Sequence, residues 1–376
     1  MNMLSFIEDI NSSYGGPAFS LPSLLRTLDT EFHMKSQILS LTKNGALANN
    51  DVIKHFSLPA PILLEQFGTD KLKYSLESRL AFKHAQEVDV IHTNNLWNFF
   101  SYLPYNVSQK LNKPNVISVR GSLYPWSLNQ SSFIKKSAWY LFQKKALDNA
   151  AFIHVTCDDE YKFVKDLGIK SKVIISPHGV DVPTKKHLVS NSFLSKFNLL
   201  KENKYFLFMS RLHEKKGLDI LLSAWDSIHR LYPDWTLLIA GPDYGNYKDK
   251  INSMSECNIK YLGMLVGDEK ESCFALSKFF VLPSFSENFG VVIGEAMARS
   301  LPVLTTINTP WNCINENNAG ACFELNNDEL VFNLKNILSL SENERIVMGG
   351  NARELIKGKY SWGKVSIPFY DALQSI

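Results

Sequence analysis

Close cysteine pairs, acidic metal motifs and long apolar runs are all missing from this chain. Its five cysteines (Cys157, Cys257, Cys273, Cys313 and Cys322) show no metal-ligand or redox spacing, and most sit within apolar runs. That usage excludes a disulfide scaffold and reads as a reduced, cytosolic protein with buried thiols. There is no Asp-x-Asp, and the nine histidines are scattered without ligand spacing, so metal chemistry finds no support. No apolar run approaches ~20 residues, the length a bilayer-spanning helix needs. The opening MNMLSFIEDINSS has no basic leader and is too short and acidic for a signal peptide. A net charge of +3 gives no argument for nucleic acid. Low-complexity segments and short repeats are also absent.

What is present is an ordinary globular composition, 45% hydrophobic and 20% charged, over 376 residues. That length accommodates two domains with separate cores. Short β-rich runs recur at 88–92, 116–119, 152–156 and 173–176, and again at 205–209, 236–240, 259–262, 279–282 and 303–306. Helical patterns lie between them, such as 158–167 closed by Gly168, and 218–231 with apolar residues at helical spacing. Strands alternating with helices predict parallel sheets covered on both faces. The expected architecture is α/β, with two doubly wound, Rossmann-like domains facing across a cleft. The polar stretch 182–203 is the expected linker. The segment 360–376 is expected to form a final helix, kinked or interrupted at Pro368, that packs back on the first domain.

One local segment departs from the average. Residues 131–151 interleave Lys135, Lys136, Lys144 and Lys145 with Phe133, Trp139, Tyr140, Leu141 and Phe142. Such a helix either lies on an anionic membrane surface or packs as a domain helix with a lysine-rich outer face.

The most informative stretch is SFSENFGVVIGE, 284–295. It follows the apolar strand 279–282 and runs through a glycine turn into a helix. The first amides of that helix, near Asn288, Phe289, Gly290 and Val291, lack intrahelical partners and face a diphosphate-binding position at its positive end. Glu295, one to two turns in, suits a ribose diol, and Glu287, ahead of the helix, suits sugar hydroxyls beyond the phosphates. Arg211 and Lys216 follow the strand YFLFM and make a diphosphate clamp, a planar fork and a point charge; Lys215 competes for the second position. Gly15 and Gly16 follow the first strand signal and allow close approach of a phosphate or sugar, although a tight turn explains them equally. Asp158, Asp159 and Glu160 read as capping and first-turn charges.

Together, the turn at Gly15–Gly16, DVIHTNNLW, RGSLYPW, SPHGVD, SRLHEKKG, LLIAGP, YLGML and SENFGVVIGEAMARSLPV resemble the retaining GT-B glycosyltransferases of family 4 (glycosyl transferases group 1), of the bacterial surface-polysaccharide type. The matches keep the family's order along nearly the whole chain, and the last carries its Glu-x7-Glu pattern. The resemblance implies an acceptor-binding domain over 1–181 and a nucleotide-sugar donor domain over 182–359. It implies that Glu295 holds the ribose, that Glu287 contacts the donor sugar, and that Arg211 and Lys216 bind the diphosphate. The segment Gly263 to Leu265 would line the base pocket.

It further implies retention without a metal, a UDP- or GDP-sugar donor, and a saccharide or undecaprenyl-diphosphate-linked acceptor in lipopolysaccharide, O-antigen or capsule assembly. The implied location is the cytoplasm, peripheral at the membrane's inner face. Acceptor contacts would fall around Asn94, Asn95, Trp97, Tyr124 and Trp126, which read equally as core and loop residues. Many family members have His-Gly where this chain has Arg120–Gly121. An arginine cannot shuttle protons near neutral pH, so Arg120 is expected to bind phosphate or sugar oxygens. The same departure leaves open a catalytically silent nucleotide-sugar-binding subunit.

Overall fold

The computed structural model describes residues 1–11, 16–42, 58–66, 75, 77–94, 96–124, 127–128 and 132–376. The chain divides into two compact units, Met1–Gly179 with Trp362–Ile376, and Val180–Ser361.

The first unit is built on seven parallel strands: β1 (Asn2–Ile7), β2 (Lys35–Thr42), β3 (Ile62–Glu65), β4 (Val90–Thr93), β5 (Asn115–Ser118), β6 (Phe152–Val155) and β7 (Val173–Ile175). They lie in the order β3-β2-β1-β4-β5-β6-β7, so the order reverses between β1 and β4. The two-residue period of β1 feeds two cores. Met3 and Ile7 pack with residues of the helices Gly16–Phe32 and Trp362–Gln374. Leu4 and Phe6 pack on the other face with residues of Ser78–Gln86 and Phe99–Leu111. The last helix is continuous through Pro368 rather than interrupted there. Its Trp362 lies so close to Gly179 that a Cβ on that glycine would fall 2.1 Å from the indole.

The second unit holds β8 (Lys204–Met209), β9 (Trp235–Ala240), β10 (Ile259–Gly263), β11 (Ser277–Leu282), β12 (Val303–Thr306) and β13 (Gly320–Phe323), all parallel. Their order is β10-β9-β8-β11-β12-β13, which reverses between β8 and β11. Phe206 centres the core, 4.9 Å from both Trp225 and Phe279. Two expectations are corrected here. The stretch 182–203 is not a linker but part of this unit, with a helix Asn191–Phe197 capped by Ser190 and anchored by buried Phe193. The helix expected to reach 231 ends at Ile228; a 3-10 turn follows and leaves Leu231 68% exposed. Among the described residues no helix is long and apolar enough to cross a membrane.

Candidate functional site

Ligands of open parallel sheets bind beyond the carboxyl ends of the strands, where strand order reverses. In the second unit that point lies between β8 and β11. Two loops meet there, 210–217 after β8 and 283–290 after β11. Gly217 sets their separation: it has φ +70°, and a Cβ on it would lie 1.9 Å from the Pro283 carbonyl oxygen. The Phe285 amide donates to the Lys215 carbonyl at 2.9 Å.

With the loops so joined, Lys216 Nζ reaches Glu287 Oε1 at 2.5 Å, and the two side chains are only 13% and 10% exposed. Ser284 Oγ lies 3.0 Å from both Glu287 Oε1 and the Lys215 carbonyl, with one proton to share between them. Burial holds the Lys215 ammonium below its ordinary range; Glu287 opposes this, and Lys216 and Arg211 add to it. The structure therefore brings Glu287, Lys216 and Arg211 within electrostatic reach of Lys215, with Arg211 exposed after β8.

The helix Val291–Ala298 starts at the same place. Gly290 caps it at φ 73°, with no capping side chain and no acidic residue in the first turn, so the positive end is unneutralised from within the helix. Asn288 is half-buried beside it. Phe289 is buried, with its ring 4.9 Å from Trp311, whose indole N–H donates to the Phe289 carbonyl. Glu295 is held by Lys270 Nζ, at 2.7 and 2.8 Å from its two oxygens. Gly263 ends β10 in the left-handed region at φ 71°, and the Leu265 side chain is buried in the core. Sequence reasoning missed Lys270, which lies 25 residues from its partner, and Ser284, only three residues before Glu287.

In the first unit, Arg120 has φ 47°. Its Nε donates to Asn94 Oδ1 at 3.1 Å and its NH1 to Ser20 Oγ at 2.6 Å. Buried Glu160 accepts from the Gly121 amide, and at 2.7 Å from the Thr156 amide, so it is a cross-link rather than a simple first-turn charge. Trp97 Nε1 donates to the Ser122 carbonyl at 3.0 Å, and Tyr124 Oη lies 3.3 Å from Cys157 Sγ. Both polar groups are thus engaged within the protein. Gly16 opens the first helix, and among the described residues nothing lies within 4 Å of where its Cβ would be. Gly15, Asn95 and Trp126 lie outside the described residues.

Behind Arg120, a buried polar row crosses the sheet. His92 lies 3.1 Å from Ser5 Oγ and 2.8 Å from Ser118 Oγ; His154 lies 2.8 Å from Ser118 Oγ and 2.8 Å from the Ser176 carbonyl. Phe369 covers both rings, at 5.5 and 5.1 Å. Burial lowers His154 to about 4, opposed by the bond to the Ser176 carbonyl and assisted by Arg120; burial and then Arg120 hold His92 well below its ordinary range. The unfolded chain takes up protons on these imidazoles that the folded unit excludes. Stability is therefore complete above the ordinary value of 6.5 and is lost as the pH falls from there toward about 4. Acidification from about pH 7 to about pH 5 is expected to cost about 2 kcal/mol through His154 alone. Urea midpoints at the two pH values check this; unmoved midpoints would mean that the folded row accepts the proton.

Among the described residues one group has metal-ligand chemistry: Asp226, His229 and Cys257, whose ligand atoms lie within 4.8 Å of one another. It precedes β9 and β10, at the amino ends of the strands and hence at the opposite edge of the sheet from Glu287. Burial and the hydrogen bond to Asp226 push the Cys257 thiol up to about 11.

Residues 190–355 match the family Glycosyl transferases group 1. An uncharacterized glycosyltransferase of Methanocaldococcus jannaschii is 26% identical over 360 residues, spanning 93% of this chain and 92% of the relative. A GDP-mannose:cellobiosyl-diphosphopolyprenol alpha-mannosyltransferase of Xanthomonas oryzae is 24% identical over 301 residues, 77% of this chain and 75% of that one. Among solved structures, Anabaena HepE in complex with UDP and glucose superposes with a TM-score of 0.76 at 17% identity, over 100% of both chains. Sucrose-phosphate synthase of Thermosynechococcus elongatus superposes at 0.73 and 18% identity, over 100% and 98%. This chain therefore has the GT-B fold, and the stretch 190–355 that matches Glycosyl transferases group 1 lies within its second unit.

Proposed function

We propose that this protein is a metal-independent, retaining glycosyltransferase. It moves a hexose from a UDP- or GDP-sugar to a saccharide or undecaprenyl-diphosphate-linked saccharide, in the cytoplasmic assembly of a lipopolysaccharide, O-antigen or capsule. The observation that carries the reading is the largely buried Lys216–Glu287 pair beside a helix start that no side chain caps, where strand order reverses. Three basic groups and one carboxylate meet there, a balance that suits a diphosphate. The diphosphate is met by Arg211, Lys216 and the amides near Val291. Glu295, oriented by Lys270, accepts from the ribose hydroxyls, and Glu287 accepts from hydroxyls of the donor sugar. The acceptor oxygen attacks the anomeric carbon on the face the phosphate leaves. As the new bond forms and the carbon–phosphate oxygen bond breaks, the leaving phosphate takes the acceptor's proton and the cations stabilise its charge. The relatives' naming of GDP-mannose, and the UDP and glucose of the HepE complex, support a nucleotide-sugar donor.

A thermal-shift screen against UDP-, GDP-, ADP- and dTDP-sugars with EDTA present tests this reading. A ligand at one hundred times its Kd adds ~2.7 kcal/mol, so one donor class should raise the melting temperature. Glu295→Ala is expected to weaken nucleotide binding by about tenfold to a hundredfold, the effect of losing charge-assisted hydrogen bonds. Unchanged affinity would remove the ribose assignment. A second reading, a donor-binding subunit without turnover, draws on Arg120, whose guanidinium is tied to Asn94 and Ser20 in the place of a family histidine. It predicts tight nucleotide binding with neither transfer nor donor hydrolysis.

A further inference from the structure

The lysine- and aromatic-rich segment of the first unit comprises the helix Ser132–Ala138, a π-turn Trp139–Gln143 and the helix Lys144–Asp148. In sequence its basic and aromatic residues are mixed; the structure sorts them onto two faces. Trp139 lies against Trp97 at 6.1 Å, and Phe142 meets Tyr102 edge-on at 5.4 Å. Gln143 is buried and accepts from the Trp97 amide at 3.0 Å. Lys135 also turns inward: it donates to the Ser127 carbonyl and lies 5.8 Å over the Trp97 ring, so it is not part of an outer basic face. Tyr140 and Leu141 point the other way, 85% and 78% exposed. Lys136 and Lys145 are exposed one helical turn to either side, and Lys144, 40% exposed, is paired with Asp148 at 2.7 Å.

We propose that this face docks the protein on an anionic lipid surface. Leu141 enters the acyl boundary, the Tyr140 ring sits at headgroup depth with its hydroxyl in water, and Lys136 and Lys145 meet lipid phosphates. The charge pattern selects this occupant over a second copy of the chain, because self-association would set like charges of two copies together around two small apolar contacts. The π-turn contributes directly: its wider spacing keeps Trp139, Phe142 and Gln143 inward while two consecutive large side chains face out. The inference deepens the acceptor side of the proposed reading, since a lipid-linked acceptor lies at such a surface. Its failure is separable, because nucleotide binding in solution does not involve this face.

Co-sedimentation of the full chain with phosphatidylcholine vesicles, with and without phosphatidylglycerol, tests it. Binding is expected to the anionic vesicles only and to weaken with added salt. The double variant Lys136→Glu, Lys145→Glu should lower partitioning by at least about fivefold per lysine. Tyr140→Ser with Leu141→Ser should lower it by about tenfold or more. Both double variants should keep the wild-type circular dichroism spectrum and urea midpoint, which shows that the first unit folds, and wild-type nucleotide binding, which shows that the second does. Leu188→Ser, at an 83% exposed leucine of the second unit, should partition like the wild type. Equal binding to neutral vesicles, or partitioning unchanged in both double variants, would overturn the proposal. So would a dimer lost in those variants without vesicle binding, which would make the face a contact between copies.

Discussion

Replacing Glu287 by alanine is expected to reduce sugar transfer by about a hundredfold or more, while nucleotide affinity stays the same or rises. The asymmetry follows from charge. Glu287 neutralises Lys216 at 2.5 Å and opposes the burial and the neighbouring cations that depress the Lys215 ammonium. Without it, Lys215, Lys216 and Arg211 face the diphosphate uncompensated, which favours a bound nucleotide diphosphate. Transfer needs more than that: the donor sugar must be held while its anomeric carbon acquires charge, and on the proposed reading the carboxylate supplies that contact. Calorimetric titration of the nucleoside diphosphate and turnover with the donor found by the thermal-shift screen give the two numbers. Equal loss of both would mean that Glu287 serves the nucleotide and not the sugar. Glu287→Gln keeps the shape and loses the charge; it should resemble the alanine variant in turnover if the charge is what matters.

Gly217→Ala should destabilise the protein by about 2–4 kcal/mol. Two penalties combine there. The residue sits at φ +70°, a region costly for any residue with a Cβ, and that Cβ would fall 1.9 Å from a backbone oxygen of Pro283, which no rotamer change can relieve. The loops must part, and Lys216 moves away from the start of the helix Val291–Ala298 with its loop, so nucleotide affinity should fall alongside stability. Gly290→Ala is the informative contrast. Its φ of +73° is as unfavourable, but the added Cβ comes closest to the flexible tip of Ile293, at 3.0 Å, and is in ordinary contact with Glu287 Cγ at 3.4 Å, so about 1 kcal/mol is expected. Urea midpoints separate the two. Equal, small shifts would mean that the 210–217 loop has room to move and does not hold the pair together.

Much of this arrangement was legible along the chain because it is set by local periods. The apolar runs 205–209, 236–240, 279–282 and 303–306 mark their strands to within two residues of the observed bounds. The glycine before Val291 marks the start of a helix whose end is open. Strands β2, β3 and β13 escaped notice: KSQILSLT breaks its apolar pattern with serine and glutamine, and ILLE and GACF are only four residues long. The partners of the site residues were not legible. Lys216 and Glu287 are 71 residues apart, and Lys270 and Glu295 are 25 apart. No spacing rule links such positions; each parallel crossover returns the chain to the same edge of the sheet, and strand order then decides which loops meet.

The same holds for the His92–Ser118–His154 row, whose members come from β4, β5 and β6, and for Lys135, which turns inward although its neighbour Lys136 is exposed. The sequence by itself determined where most of the strands and helices lie and which carboxylates flank a helix start, because those depend on neighbours within a turn or two. Only the tertiary structure decided which charges pair, which histidines stay neutral and which aromatic residues face solvent. Those outcomes depend on burial and on distances across the sheet, and a linear chain carries neither.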